Sequence, residues 1–273
     1  MKKLLLYLLL ATLIFSCRKH KTINSSPIYF SRDTSIVFHS LSDTDSILNT
    51  CFSPLRIVKK VAIWKPTLDD LFNLPISLDG LVHTKIDTVV KLTEETYLII
   101  FRTDAYGQNG TILDCHVCSP VYSIASIQQQ NKQYNITNFK KNLIAAGSFG
   151  HGYDTLAVEK FGKHYQLLKI ASSYTGTSTN TMTNTFFELN NYTQIFQYNS
   201  YRSVGDSSEY DPDYHEIELN LTHIAGRDNE DRDDIKLSGI KTYFNTRSKS
   251  IKKQKVTEYY RSNDFGIYQR TEN

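Results

Sequence analysis

The sequence predicts a mainly β fold, an antiparallel meander or sandwich with one or two short helices near its start. Three observations lead there. Eighteen Tyr and fourteen Phe stand against two Met and one Trp, and flat rings pack well on pleated surfaces. Short apolar or alternating runs recur after residue 82, separated by tight turns; tight turns join antiparallel neighbours, because a parallel partner needs a long crossover. No helix-length periodic segment follows residue 82 to supply such crossovers. A chain of 273 residues can bury a large core without staples. All-β domains of this size are often undivided, so residues 28–273 are expected to form a single β-rich domain.

In order along the chain, Ile28 to His39 alternates loosely and reads as one or two strands around Ser35–Phe38. Ser42-Asp43-Thr44-Asp45 before Ser46-Ile47-Leu48 marks a helix start, since short polar side chains accept the free N–H groups of a first turn. Pro54 must end that helix. Ile57 to Trp64 reads as a strand. Thr67 to Phe72 reads as a short helix with Thr67 as its cap, and Pro75 stops it. Asp87–Lys91 and Tyr97–Arg102 make a hairpin around Thr93-Glu94-Glu95. Val121 to Ile127 suits a strand or a short helix, and Asn138 to Ala146 is another run that its pattern does not assign. Asp154–Lys160 and His164–Ala171 flank Phe161-Gly162-Lys163, where Gly can take a positive φ. Thr185–Leu189 and Tyr192–Tyr198 flank Asn190-Asn191. In His215–His223, Ile217, Leu219 and Leu221 point one way and the polar residues the other. Ile235–Tyr243, Lys255–Tyr260 and Phe265–Tyr268 complete the strands.

The first residues, MKKLLLYLLLATLIFSC, are of another kind. Two lysines precede a twelve-residue apolar run, Leu4 to Phe15, shorter than the roughly 20 residues that span a bilayer. This order fits a secretory signal, residues 1–16. Its end, Ile14-Phe15-Ser16-Cys17, resembles the lipobox of bacterial lipoproteins. That resemblance implies cleavage before Cys17, a diacylglyceryl group on its thiol and an acyl chain such as palmitate on its amino group. Several acyl chains on one residue anchor stably where one would not. Residues 17–27 would then be the lipidated cysteine and a polar, flexible tether. No acidic run follows Cys17, so the expected site is the cell envelope, at the outer membrane facing the periplasm.

The net charge of +3 includes Lys2 and Lys3, which leave with the leader. What remains gives no electrostatic case for nucleic acid. The basic run Arg247–Lys255 reads as a solvated strand or turn before it reads as an anion-binding patch.

Reactive side chains concentrate between Tyr97 and Thr175. An exported protein sits in an oxidising compartment, and Cys51, Cys115 and Cys118 remain once Cys17 is lipidated. Three is odd, so at least one is free or pairs elsewhere. Cys115-His116-Val117-Cys118 has CxxC spacing and three readings. It is a small disulfide pinning a loop or two buried thiols, a redox pair, or half a metal site to which His116 or His151 adds nitrogen. A redox pair wants a helix N-terminus, and Pro120 interrupts one. A metal site wants a second CxxC or HxxxH, and neither exists. Gly147-Ser148-Phe149-Gly150-His151-Gly152 fits neither GxGxxG nor a Walker loop and reads as a strand-connecting turn. The segment as a whole resembles that of bacterial envelope proteins to which no activity attaches.

No GxSxG elbow is present, and the nearness of Ser148, His151 and Asp154 in sequence is not how triads are recognised. The acidic runs Asp206–Asp213 and Asp228–Asp234 lack the fixed ligand spacing of a calcium loop. Tyr192, Tyr198, Tyr201, Tyr259 and Tyr260 could form a stacking surface for a glycan, though such rings are more often half-buried on strand faces. The sequence therefore implies no catalytic residue, no cofactor and no nucleic-acid partner. It implies a lipid-anchored envelope protein whose domain is a non-catalytic binding or structural module for an unidentified protein or glycan. The alternative is a periplasmic thiol-redox or metal-binding protein using Cys115 and Cys118.

Overall fold

The structure, a computed structural model, describes residues 37–271 apart from 39, 68–69, 71–73, 75–79, 108–110, 114–117, 206–213, 226–231 and 246–247. Among the described residues, one helix, α1 (Thr44–Phe52), accompanies two antiparallel sheets. The first contains β2 (Arg56–Val58), β3 (Val61–Trp64), β4 (Val82–Lys91), β5 (Thr96–Asp104), β6 (Val121–Gln130) and β7 (Gln133–Ala145) in simple meander order, with the two-residue β1 (Val37–Phe38) on the outer side of β7. The second runs in the same manner from β8 (Thr155–Lys160) through β9 (Gln166–Thr175), β10 (Thr179–Glu188), β11 (Gln194–Val204), β12 (His215–Ile224), β13 (Asp234–Asn245) and β14 (Ser250–Ser262) to β15 (Tyr268–Thr271). The mainly β antiparallel fold is as the composition and turns imply.

Asp43 caps α1, its carboxylate accepting the Ser46 N–H at 3.3 Å, and Ser53 ends it in the left-handed region. Its buried side, Ile47, Leu48, Cys51 and Phe52, lies on one face of the first sheet with Trp64, Ile99, Phe101, Val121 and Phe139. The opposite face carries Leu98, Ile100, Tyr122 and Ile124, which pack against Leu168, Ile170, Phe187 and Tyr192 of the second sheet. The apolar run Tyr97–Phe101 is thus covered on both faces of β5, which is why it shows no alternation. The second sheet curls, and within the curl Phe161, Leu167, Phe186, Phe196, Ile235, Leu237 and Tyr268 form a third cluster. Gly239 on β13 admits a close approach of β12: a Cβ there would run into the backbone of Glu218.

Several segments differ from the sequence reading. Ile57–Trp64 is a hairpin, not one strand, because Lys59 and Lys60 both take positive φ, 50° and 64°, between β2 and β3. Val121–Gln130 is a strand, and the apolar stretch near Asn138 belongs to the thirteen-residue β7. Phe265 sits in a turn, with β15 starting at Tyr268. Most of the short helix expected over Thr67–Phe72 lies outside the described residues, as does the segment before Val37.

Candidate functional site

The stretch richest in reactive groups turns out to hold the crossover between the sheets. Residues 146–154 leave β7 and enter β8, and one loop and one strand side chain grip them. From the β5–β6 connection, the Cys118 carbonyl accepts the Gly150 N–H at 2.8 Å, Ser119 Oγ donates to the Gly147 carbonyl at 2.5 Å, and the Pro120 carbonyl accepts the Ala146 N–H at 3.1 Å. From the sheet, Arg102 Nη2 donates to the Gly150 carbonyl at 2.5 Å. Gly147 has φ of 91°, and a Cβ there would meet the His151 carbonyl; a Cβ on Gly152 would meet the Tyr122 hydroxyl. The first glycine supplies a conformation, the second a close approach.

Arg102 and Asp104 sit two apart on β5, so their side chains share a face. Arg102 Nε donates to both Asp104 oxygens, at 2.9 and 3.0 Å, and the Asp104 side chain is only 2% exposed. Tyr122 stands opposite Arg102 in the β5–β6 register, and its ring meets that of Tyr153 at 4.9 Å. The Tyr153 hydroxyl donates to Asp87 at 2.7 Å. Asp87 is the residue by which the β4–β5 register slips, and such a bulge re-aims a side chain. Burial pushes the Tyr122 phenol up to about 12. Burial, then the hydrogen bond to Asp87, raises that of Tyr153 further. Neither phenol can serve as a base near neutral pH. The guanidinium and both carboxylates are engaged with one another and with the crossover. This arrangement positions a backbone.

Cys118 is disulfide-bonded. Cys51 is free and buried on the inner face of α1, and burial pushes its thiol up to about 12, so it is neither the partner of Cys118 nor a ready thiolate. His151 is exposed on the turn, with its backbone N–H given to the Ser148 carbonyl at 2.8 Å. Cys17, Cys115 and His116 lie outside the described residues. Among the described residues, no three His, Cys, Asp or Glu side chains converge as a metal ion requires. Ser148 Oγ accepts the Thr175 N–H at 3.4 Å, and Asp154 accepts from Ser173 at 2.7 Å; neither bond joins them to His151.

The five tyrosines do not share one surface. Tyr192 lies between the sheets, 2% exposed and hydrogen-bonded to Ser126. Tyr198 and Tyr260 pack within the curl of the second sheet. Tyr201 and Tyr259 are half-buried on β11 and β14. A second polar knot stands at the curl, where Glu188 accepts from Tyr165 at 2.7 Å, Arg232 at 3.0 Å and Asn191 at 2.7 Å. Sequence reasoning missed Asp87, Arg102, Asp104, Tyr122 and Tyr153. The one local signal was the i, i+2 pair Arg102 and Asp104 at the end of an apolar strand. Compared with family models, curated proteins and solved structures, the chain matches none.

Proposed function

We propose that the chain is a lipid-anchored protein of the cell envelope, held through Cys17 at the outer membrane facing the periplasm, and that its two-sheet domain is a non-catalytic binding or structural module. The observation that carries this reading is the order of Met1–Cys17: lysines, a short apolar run, then Ile-Phe-Ser-Cys. The domain agrees with it. Its densest polar cluster spends its charges and hydroxyls on fixing the crossover between two sheets. Cys118, which is disulfide-bonded, sits in the loop that grips that crossover. A rigid body on a lipid tether presents its surface to partners; it needs no chemistry of its own.

The test is metabolic labelling of the full chain in a Gram-negative host with an alkyne-tagged palmitate. The wild-type chain should carry the label and fractionate with the outer membrane, and Cys17→Ser should lose both. An unlabelled wild-type chain, or a Cys17→Ser chain that keeps its label, would sink the reading. The redox alternative is separated by titrating the Cys118 disulfide in glutathione buffers. Reversible cycling near the potential of periplasmic oxidants would favour chemistry, and resistance to reduction a staple.

A further inference from the structure

The second sheet has an unfinished edge. β14 pairs with β13 along its length, from Ser250 opposite Asn245 to Tyr260 opposite Ile235. On its other side β15 covers only Tyr259 to Ser262. Among the described residues, no strand pairs with that side from Ser250 to Glu258. A strand aims alternate N–H and C=O groups away from its neighbour, so this side carries a row of unmatched donors and acceptors about 30 Å long. Such a row is a ready template for one more strand.

The same stretch is basic and stands clear of the core. Ile251 to Lys255 are all exposed, Ile251 by 51%. Lys252 projects to one face of the sheet and Lys253 and Lys255 to the other, so positive charge flanks the edge on both sides. The nearest acids in register with them, Glu216 and Glu218, are two strands away on β12, beyond Thr242 and Ile240. Lysines on an edge are a known guard against self-association. Here they discriminate as well as guard. A second copy pairing antiparallel through this edge would set lysines against lysines, which is unfavourable. An acidic strand would meet a cation on either face.

We propose that the outer edge of β14, from Ser250 to Glu258, is a strand-addition site for an extended acidic segment of a partner polypeptide. Backbone hydrogen bonds would supply much of the affinity, and Lys252, Lys253 and Lys255 the selection for acid. The proposal does not depend on lipidation of Cys17 and stands or falls separately from it.

The probe is a synthetic ten-residue peptide alternating glutamate with threonine and valine, with its lysine counterpart as control, added to the mature chain. Amide hydrogen exchange is read residue by residue along β14. The glutamate peptide should slow exchange at alternate amides between Ser250 and Glu258, and the lysine peptide should not. The triple variant Lys252→Gln, Lys253→Gln, Lys255→Gln changes only exposed side chains, and an unchanged urea midpoint checks its fold. It should weaken the peptide about tenfold, since three cross-strand charge pairs are lost. Absence of protection at millimolar glutamate peptide overturns the proposal, as does equal protection by the lysine peptide. Binding of the chain to phosphatidylglycerol vesicles with no peptide protection would also overturn it, and would make the basic edge a lipid-facing patch.

Discussion

Arg102→Leu tests whether the polar cluster is a clasp. In the wild-type chain Arg102 neutralises Asp104, whose side chain is 2% exposed, through two hydrogen bonds of 2.9 and 3.0 Å. It also holds the Gly150 carbonyl at 2.5 Å. Leucine fills part of the same volume but leaves the carboxylate buried without its cation. Breaking one side of a buried pair costs about 3–5 kcal/mol. The double change Arg102→Leu, Asp104→Leu removes both charges. Replacing a whole buried pair by apolar groups is often close to neutral, so only the bond to Gly150 remains lost, about 1.5–3 kcal/mol for a charged donor. The double variant should therefore be more stable than the single one. Urea unfolding at neutral pH, with an unchanged denaturant slope, measures both. Hydrogen exchange at the Gly150 N–H, bonded to the Cys118 carbonyl, should quicken in both variants. A cost under about 1 kcal/mol for Arg102→Leu, or a double variant less stable than the single, would refute the clasp.

Three further outcomes are expected. Trp64, the one tryptophan, is 2% exposed in the first sheet, with its Nε1 on Thr84 at 2.9 Å and Lys141 Nζ 4.0 Å from its ring. Its fluorescence should lose intensity or shift at the same urea concentration as the far-ultraviolet dichroism of both sheets, because the inter-sheet core couples them; two separated transitions would contradict that coupling. Gly152→Ala should destabilise the chain because its Cβ meets the Tyr122 hydroxyl, and the same substitution should cost less in a Tyr122→Phe background, so a thermodynamic cycle with no coupling would argue against the contact. Cys51 should resist thiol reagents at mildly alkaline pH until the chain unfolds. Its folded pKa, about 12 against 9.0 unfolded, lies on the raised side, so the stability it contributes is complete below pH 9 and is lost as the pH climbs towards 12. Cys51→Ser should flatten part of that decline, and an unaltered alkaline profile would show that the thiol takes no share.

How much of this was legible depended on the distance over which each signal acts. Strand character was local and therefore readable: Leu219 and Leu221 alternate along β12 and pack against the third cluster as the pattern requires. The start of α1 was readable because its cap is spelled in adjacent residues. The β2–β3 turn was hidden because two lysines hold positive φ there, a conformation that usually advertises itself through Gly or Asn. The long β7 was hidden although Asn131 stands in the turn before it, because the residue that shares the positive φ there is Lys132 and not Gly. The lengths of β10, β11 and β14 were under-read because their outer halves are largely polar and partly exposed. They stand beyond the packed core, so no apolar period marks them.

The clasp was illegible for a different reason. Arg102 and Gly150 are 48 residues apart, and Asp87 and Tyr153 are 66 apart. No local period links them, and residue type alone made the cysteines and glycines look like the centre. Their neighbours explain what they do. The glycines admit a close crossover and two carbonyl contacts; the Cys118 loop lies over it; the arginine and tyrosines beneath hold it to the first sheet. Each of these groups could have belonged to a reaction centre. What separates the two uses is whether a group keeps an uncommitted partner position. Here the guanidinium spans Asp104 and Gly150, one phenol is bonded to Asp87, and another is raised to about 12 by burial. Commitment of that kind costs reactivity and gives rigidity. Rigidity matters at this point because the crossover carries the chain from the first sheet to the second. The open groups lie elsewhere, along the outer side of β14, where backbone donors and lysines face outward together.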